Sequence, residues 1–174
     1  RSRGLGDVYK RQTTPRDLET DLDVWIILMA LSESVSARLR KHGFKCKVVE
    51  ISIRDNGLNS ITRQKRISQP TNITDEIVKA AFELFKKHYR WEHPIRSLGV
   101  RGSDLVMEDI PVQLDLFDNQ EKREKLERLD RAVDEIRRRF GYFSIQRAAM
   151  YQDKVLSHLD AGTHTVHPHS YFHG

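Results

Sequence analysis

The sequence predicts an α+β fold: a β-α-β-β-α-β unit whose four strands form one antiparallel sheet with both helices on one face, followed by a helical tail. Three observations carry this reading. Two amphipathic stretches with helix start and stop signals, from Thr20 to Gly43 and from Thr74 to Trp91, interrupt segments whose apolar residues recur at every second position. An Asn56-Gly57 step joins two of those segments as a hairpin. The order strand, helix, strand, strand, helix, strand is that of a split β-α-β unit, which covers one sheet face and leaves the other open.

Each element follows from its residues. "RSRGLGDVYKRQ", residues 1–12, reads as a linker or adaptor-derived segment and is set aside from the fold. Thr13 and Thr14, before Pro15, end a first strand. In "TDLDVWIILMALSESVSARLRKHG", Thr20 and Asp23 form a capping box, Val24, Leu28, Leu31, Val35 and Leu39 share one face, and Gly43 stops the helix. "KCKVVEISIRDNG" alternates, with Val49, Ile51 and Ile53 on one side and Glu50, Ser52 and Arg54 on the other. "LNSITRQKRISQP" is the returning strand, unusually polar for an interior one and closed by Pro70; its pattern does not fix which of Arg63, Lys65 and Arg66 share a face. The second helix has Thr74 as its cap and Ile77, Ala81, Leu84 and Phe85 toward the core. "IRSLGVRGSDL" is the last strand, with Leu98 and Val100 alternating with Ser97, Gly99 and Arg101.

Beyond the short stretch "VQLDLFDNQ" the composition becomes densely charged. Leu126, Leu129, Val133, Ile136 and Phe140 form a narrow apolar seam on a helix, by which it is expected to dock on its own protein or on a neighbour. The expected boundaries are 1–12, 13–108 for the sheet domain, 109–118 for a peptide linker, 119–157 for the helical tail and 158–174 for an irregular histidine-containing end.

Composition narrows the function classes. The 174 residues carry 30 Lys and Arg against 25 Asp and Glu, a net charge of +5, so a polyanionic partner fits if those charges share a face. Cys46 is the single cysteine, which excludes an internal disulfide and a cysteine zinc cluster and points to an intracellular, cytoplasmic setting. No apolar run approaches the roughly 18 residues of a membrane span, so no membrane partner is expected. Histidines 158, 164, 167, 169 and 173 lie in a tail with no rigid geometry and are assigned no metal; His42 and His88 sit near helix carboxyl ends. No nucleophile is paired with a base, and no glycine-rich phosphate loop is present. The open sheet face is basic and polar, without aromatics on its strands, which suits phosphate oxygens better than stacked bases.

The "TTPRDLE" opening, the "SxxVxxRLR" helix and the "IRxxGVR" strand, within a stretch from Thr13 to at least Gln146, closely resemble the little-finger domain of Y-family translesion DNA polymerases. The similarity is to the DinB and UmuC type, nearest the polymerase IV-like UV-damage repair branch of Gram-positive bacteria. The resemblance implies an enzyme of palm, fingers, thumb and little finger, whose palm holds Mg2+ for nucleotidyl transfer. Palm, fingers and thumb are absent from this sequence, so the chain is expected to be non-catalytic and to bind no cofactor of its own.

In that family the little finger grips primer-template DNA backbone through its sheet. Matched positions imply contacts from Thr14, from Arg63, Lys65 and Arg66, and from Ser97, Gly99 and Arg101, with Arg54 joining them on the open face. "QLDLF", Gln113, Leu114, Asp115, Leu116 and Phe117, looks like the peptide by which bacterial polymerases dock on the sliding clamp, with Leu114, Leu116 and Phe117 as apolar anchors. A hydrophobic staple pinning the tail is the structural alternative for that peptide. For the whole chain the alternatives are a free-standing DNA- or clamp-binding regulatory module and a protein-interaction domain using the 119–140 helix.

Overall fold

The computed structural model describes residues 6–109 and 120–158. Strand β1 (Val8–Leu18) leads into helix α1 (Asp21–Lys41), followed by β2 (Phe44–Asp55), β3 (Ser60–Thr71), α2 (Thr74–His88), β4 (Ile95–Met107) and α3 (Gln120–Phe140). Two 3-10 turns (Tyr142–Ser144 and Ala148–Gln152) and a short α4 (Lys154–Ser157) complete it. The four strands form one antiparallel sheet in the order β1-β4-β2-β3. Helix α1 thus crosses over β4 and α2 over β2. Val49, Ile51 and Ile53 meet Leu98 and Val100, and this apolar side of the sheet is sealed by Val24, Leu28, Leu31, Val35 and Leu39 of α1 and Ile77, Ala81, Leu84 and Phe85 of α2.

The helix signals act as read, with one exception. Thr20 Oγ1 accepts from the Asp23 amide at 3.1 Å, and Asp23 Oδ2 accepts from the Thr20 amide at 3.1 Å. Gly43 closes α1 at φ 70. Thr74 does not cap α2: it is the first helical residue, and the cap position falls on Ile73, which has no polar side chain. Asp130 of α3 substitutes from a distance, accepting from the Thr74 amide at 2.7 Å. At the hairpin, Asp55 accepts from the Asn59 amide at 2.9 Å and its side-chain amide at 3.0 Å, while Leu58 takes the left-handed conformation at φ 69.

Residues 8–12 are part of the sheet, against the expectation that residues 1–12 stand outside the fold. Val8 to Gln12 pair in register with Gly102 to Leu98. Backbone pairing is indifferent to side-chain identity, so an extended segment completes an open edge of β4 whatever its composition. The side chains gave no strand signal because the core-facing position opposite Val100 is a fully buried lysine, Lys10.

Helix α3 also docks otherwise than its seam predicts. Of the seam, Leu126, Val133 and Ile136 are half-buried while Leu129 and Phe140 stay 50% and 74% exposed, and the fully buried residue of α3 is Asp130. Arg40 reaches Asp130 at 3.1 Å and Asp134 at 2.6 Å, Arg137 reaches Glu33 at 3.1 Å, and Arg123 reaches Glu76 at 2.7 Å. The surfaces of α1 and α2 that α3 meets are charged because their apolar residues are already committed to the sheet, so the helix turns its ionic flank inward. Met150 and Leu156 then enter the main core, making the tail continuous with the domain.

Candidate nucleic-acid interface

Strand alternation sends one set of side chains to the helices and the other to the open side. On the two central strands the open set is Val48, Glu50, Ser52 and Arg54 from β2, and Ser97, Gly99, Arg101 and Ser103 from β4. The register builds rows across the whole sheet. Thr13, Ser97, Arg54 and Ser60 form one; Arg11, Gly99, Ser52 and Thr62 the next; Tyr9, Arg101, Glu50 and Gln64 the third. Arg66 follows, opposite Val48.

The floor of this face is close-packed and polar. Ser97 Oγ accepts from Arg11 Nε at 2.9 Å. Tyr9 Oη and Ser52 Oγ approach to 3.4 Å from the strands on either side of β4, passing over Gly99. A Cβ on Gly99 would lie 2.4 Å from Ser52 Oγ and 3.1 Å from Tyr9 Oη, so only glycine permits that contact. Arg101 lies against the Tyr9 ring, 5.7 Å from its centre, and donates from Nη1 to Glu50 Oε1 at 3.2 Å, while its Nε faces Asp7 Oδ2 at 2.7 Å. Arg66 pairs with Asp104 at 2.6 Å; the backbone of Asp104 is left-handed, at φ 52. Arg54 is exposed and has no ion pair among the described residues.

The residues read from sequence divide between the two faces. Arg54, Arg66, Ser97, Gly99 and Arg101 come together on the open side. Arg63 and Lys65 do not: they stand opposite Ile51 and Val49, which places them on the helix side, and Lys65 reaches Glu83 of α2 at 2.5 Å. Thr14 is buried, its hydroxyl donating to the Arg96 carbonyl at 3.0 Å, and exposed Thr13 takes the rim position beside Ser97. Tyr9 and Arg11 belong to the face but lay in the segment set aside, so the face carries an aromatic where none was expected. Glu50 and Asp104 were legible as acids, yet only the register shows that Glu50 opposes Arg101, and only the packing brings Asp104 to Arg66. The "QLDLF" residues, Gln113 to Phe117, lie outside the described residues. Among the described residues no three His, Cys, Asp or Glu side chains gather as a metal site would require.

A family model for the impB/mucB/samB family C-terminal domain matches residues 7–116. The chain belongs to this family. The matched stretch of this C-terminal domain takes in every strand of the sheet, both helices that cover it and the whole open face. DNA polymerase IV of Acetivibrio thermocellus is 46% identical over 147 residues, covering 84% of this chain and 37% of that protein. DNA polymerase IV of Pelotomaculum thermopropionicum is 32% identical over 78% of this chain, and DNA polymerase IV 2 of Bacillus subtilis 36% identical over 79%. The chain therefore spans only 33–37% of the length of these relatives. The little finger domain of PolIV in its complex with the beta-clamp processivity factor superposes with a TM-score of 0.49 at 16% identity, over 64% of this chain and 99% of that one; membership rests on the family match, not on this likeness.

Proposed function

We propose that this C-terminal domain is the DNA-gripping little finger of a Y-family translesion polymerase, acting on the bacterial nucleoid during damage bypass. The observation that supports it most is the open sheet face, where Arg11, Arg54, Arg66 and Arg101 stand among the hydroxyls of Thr13, Ser52, Thr62 and Ser97. Guanidinium and hydroxyl groups donate to phosphate oxygens and read no base identity, so the grip is on the backbone. Tyr9, the one aromatic on these rows, is occupied beneath Arg101 and offers no stacking platform. Contacts come from Arg54, Arg66, Ser97, Gly99 and Arg101, with Arg63, Lys65 and Thr14 outside the grip.

In the same reading, Gln113 to Phe117 dock the domain on the sliding clamp, with Leu116 and Phe117 as anchors in apolar subpockets. Nucleotidyl transfer, and the Mg2+ it uses, belong to the parts of the relatives that this chain does not span. The test is fluorescence anisotropy of a labelled primer-template duplex titrated with the domain across a range of salt. Weak, sequence-independent binding that falls as salt rises supports the proposal. Binding that is absent at low salt, or unaffected by the double substitution Arg54→Ala/Arg101→Ala, refutes it.

A further inference from the structure

We propose that Glu50 is a built-in competitor for DNA phosphate, an acid placed in the gripping face to hold Arg101 and limit how tightly the domain binds. This rests on reading the open face as a DNA-backbone grip, and goes beyond it by assigning the face a negative determinant.

Among the open-side residues of the two central strands, Val48, Glu50, Ser52, Arg54, Ser97, Gly99, Arg101 and Ser103, Glu50 is the sole acid. It stands directly opposite Arg101, with Oε1 3.2 Å from Nη1; Asp7, just before β1, faces the same guanidinium at Nε, 2.7 Å away, but its side chain is 42% exposed, so Glu50 is the covered one of the two acids on Arg101. The carboxylate is the more covered partner: the Glu50 side chain is 16% exposed and that of Arg101 39%. A covered carboxylate is a fixed acceptor, and a more open guanidinium can still reach outward. Glu50 Oε1 thus takes, at Arg101 Nη1, the place that a phosphate oxygen would take.

DNA binding then requires Arg101 to exchange Glu50 for phosphate, or to share itself while a negative charge remains beneath the incoming phosphate. Arg54, two rows away beside Ser97, faces no such competitor among the described residues. The face is therefore graded, with one central arginine available and the other restrained. At the margin Asp104 meets Arg66 at 2.6 Å, a second acid against an open-side arginine. A restrained grip suits a domain that must follow a moving primer terminus without fixing on one register, because all phosphates are alike to it.

The competing account makes Glu50 an ordinary cross-strand partner that stabilises the sheet. Anisotropy with a mixed-sequence primer-template duplex, across salt, separates the two. Glu50→Gln keeps the shape of the side chain and removes the charge; it should bind about fivefold tighter at low salt, the order expected for releasing a part-exposed ion pair. Its slope of log affinity against log salt should steepen by roughly one, as for one more phosphate contact. In an Arg101→Gln background the gain should shrink to less than half, because the restraint acts through Arg101. Glu50→Ser, a residue type already common on this face, should behave as Glu50→Gln does and guards against a folding defect peculiar to one variant.

Unchanged or weaker binding by both Glu50 variants, with the melting temperature preserved, overturns the proposal, as does a gain undiminished by Arg101→Gln. If the unsubstituted domain binds and Arg101→Gln weakens it while neither Glu50 variant tightens it, the gripping face stands and only the role of Glu50 falls. If the unsubstituted domain shows no binding even at low salt, the reading of the face falls first and the role of Glu50 with it.

Discussion

Replacing Asp130 with alanine should cost the domain about 3 kcal/mol while leaving its DNA affinity intact. Asp130 is 4% exposed and accepts from three directions: Arg40 Nη1 at 3.1 Å, Arg147 Nη2 at 3.0 Å and the Thr74 amide at 2.7 Å. Removing one member of a buried ion pair costs roughly 3 to 5 kcal/mol when its partner is stranded. Neither arginine is fully stranded here. Arg40 keeps Asp134 at 2.6 Å and the Asn72 carbonyl at 2.6 Å, and Arg147 keeps Asp75 at 2.5 Å and Glu33 at 3.2 Å. The ionic part is therefore discounted to about 2 kcal/mol, and the uncapped amide at the start of α2 adds about 1 kcal/mol. Asp130→Asn retains an acceptor for that amide and should cost only about 2 kcal/mol. Urea denaturation measures both, and the melting temperature of Asp130→Ala should fall by roughly 6 to 12 °C for a domain of this size. The network lies on the helix side, away from the open face, so anisotropy should report unchanged DNA binding. A loss below about 0.5 kcal/mol, or equal losses for Ala and Asn, would refute the argument that α3 docks through Asp130 and that Asp130 caps α2.

The other predictions concern the two proposed interfaces, catalysis and the lone thiol. Arg54→Ala with Arg101→Ala should weaken duplex binding and flatten the salt slope by roughly two, whereas Arg63→Ala, on the helix side, should change neither; equal effects from Arg63 would contradict the register. Leu116→Ala with Phe117→Ala should abolish binding to a purified bacterial sliding clamp in calorimetry with the melting temperature unchanged, and lost stability instead would mark the segment as a staple. Primer extension with Mg2+ and all four nucleotides should yield no product from the rigorously purified domain. Burial pushes the Cys46 thiol up to about 12, so a thiol reagent at pH 8 should label it only after denaturation. Because the folded state holds the proton more tightly than the unfolded one, the contribution of Cys46 to stability is complete below pH 9 and is lost as pH rises from 9 toward 12.

The order of elements was legible because each carried its own punctuation. Thr20, Asp23 and Gly43 bound α1, and the period-two run from Val49 to Ile53 meets Leu98 and Val100 on the predicted face. What escaped was relational. Arg63, Lys65 and Arg66 are adjacent in a strand polar on both sides, so nothing local ranks their faces; the pairing of Arg63 with Ile51 decides it. Thr14 and Thr13 are likewise one residue apart and opposite in fate, the first buried against Arg96 and the second on the rim. The seam of α3 was legible as apolar periodicity, but docking depends on what the receiving surface offers, and Glu33 and Arg40 of α1 offer charge. Asp130 could not be found from sequence, since its three donors come from α1, α2 and the segment after α3.

The arginines of this domain therefore serve two purposes that their burial distinguishes. Arg40 and Arg137 are nearly covered, with side chains 5% and 11% exposed, and each meets carboxylates that are themselves enclosed or fixed by other bonds. Such pairs gain little net stability over an apolar contact but are costly to break singly, which makes them devices for fixing one docking geometry of α3. Arg66 and Arg101 are 65% and 39% exposed, so another anion can reach either guanidinium from solvent. The net charge of +5 conceals this division, because it counts both kinds alike. On the helix side Arg40, Arg123, Arg137 and Arg147 are consumed in holding the tail to the body. On the sheet side they stay open to solvent, accessible to the DNA backbone proposed as the ligand of this face.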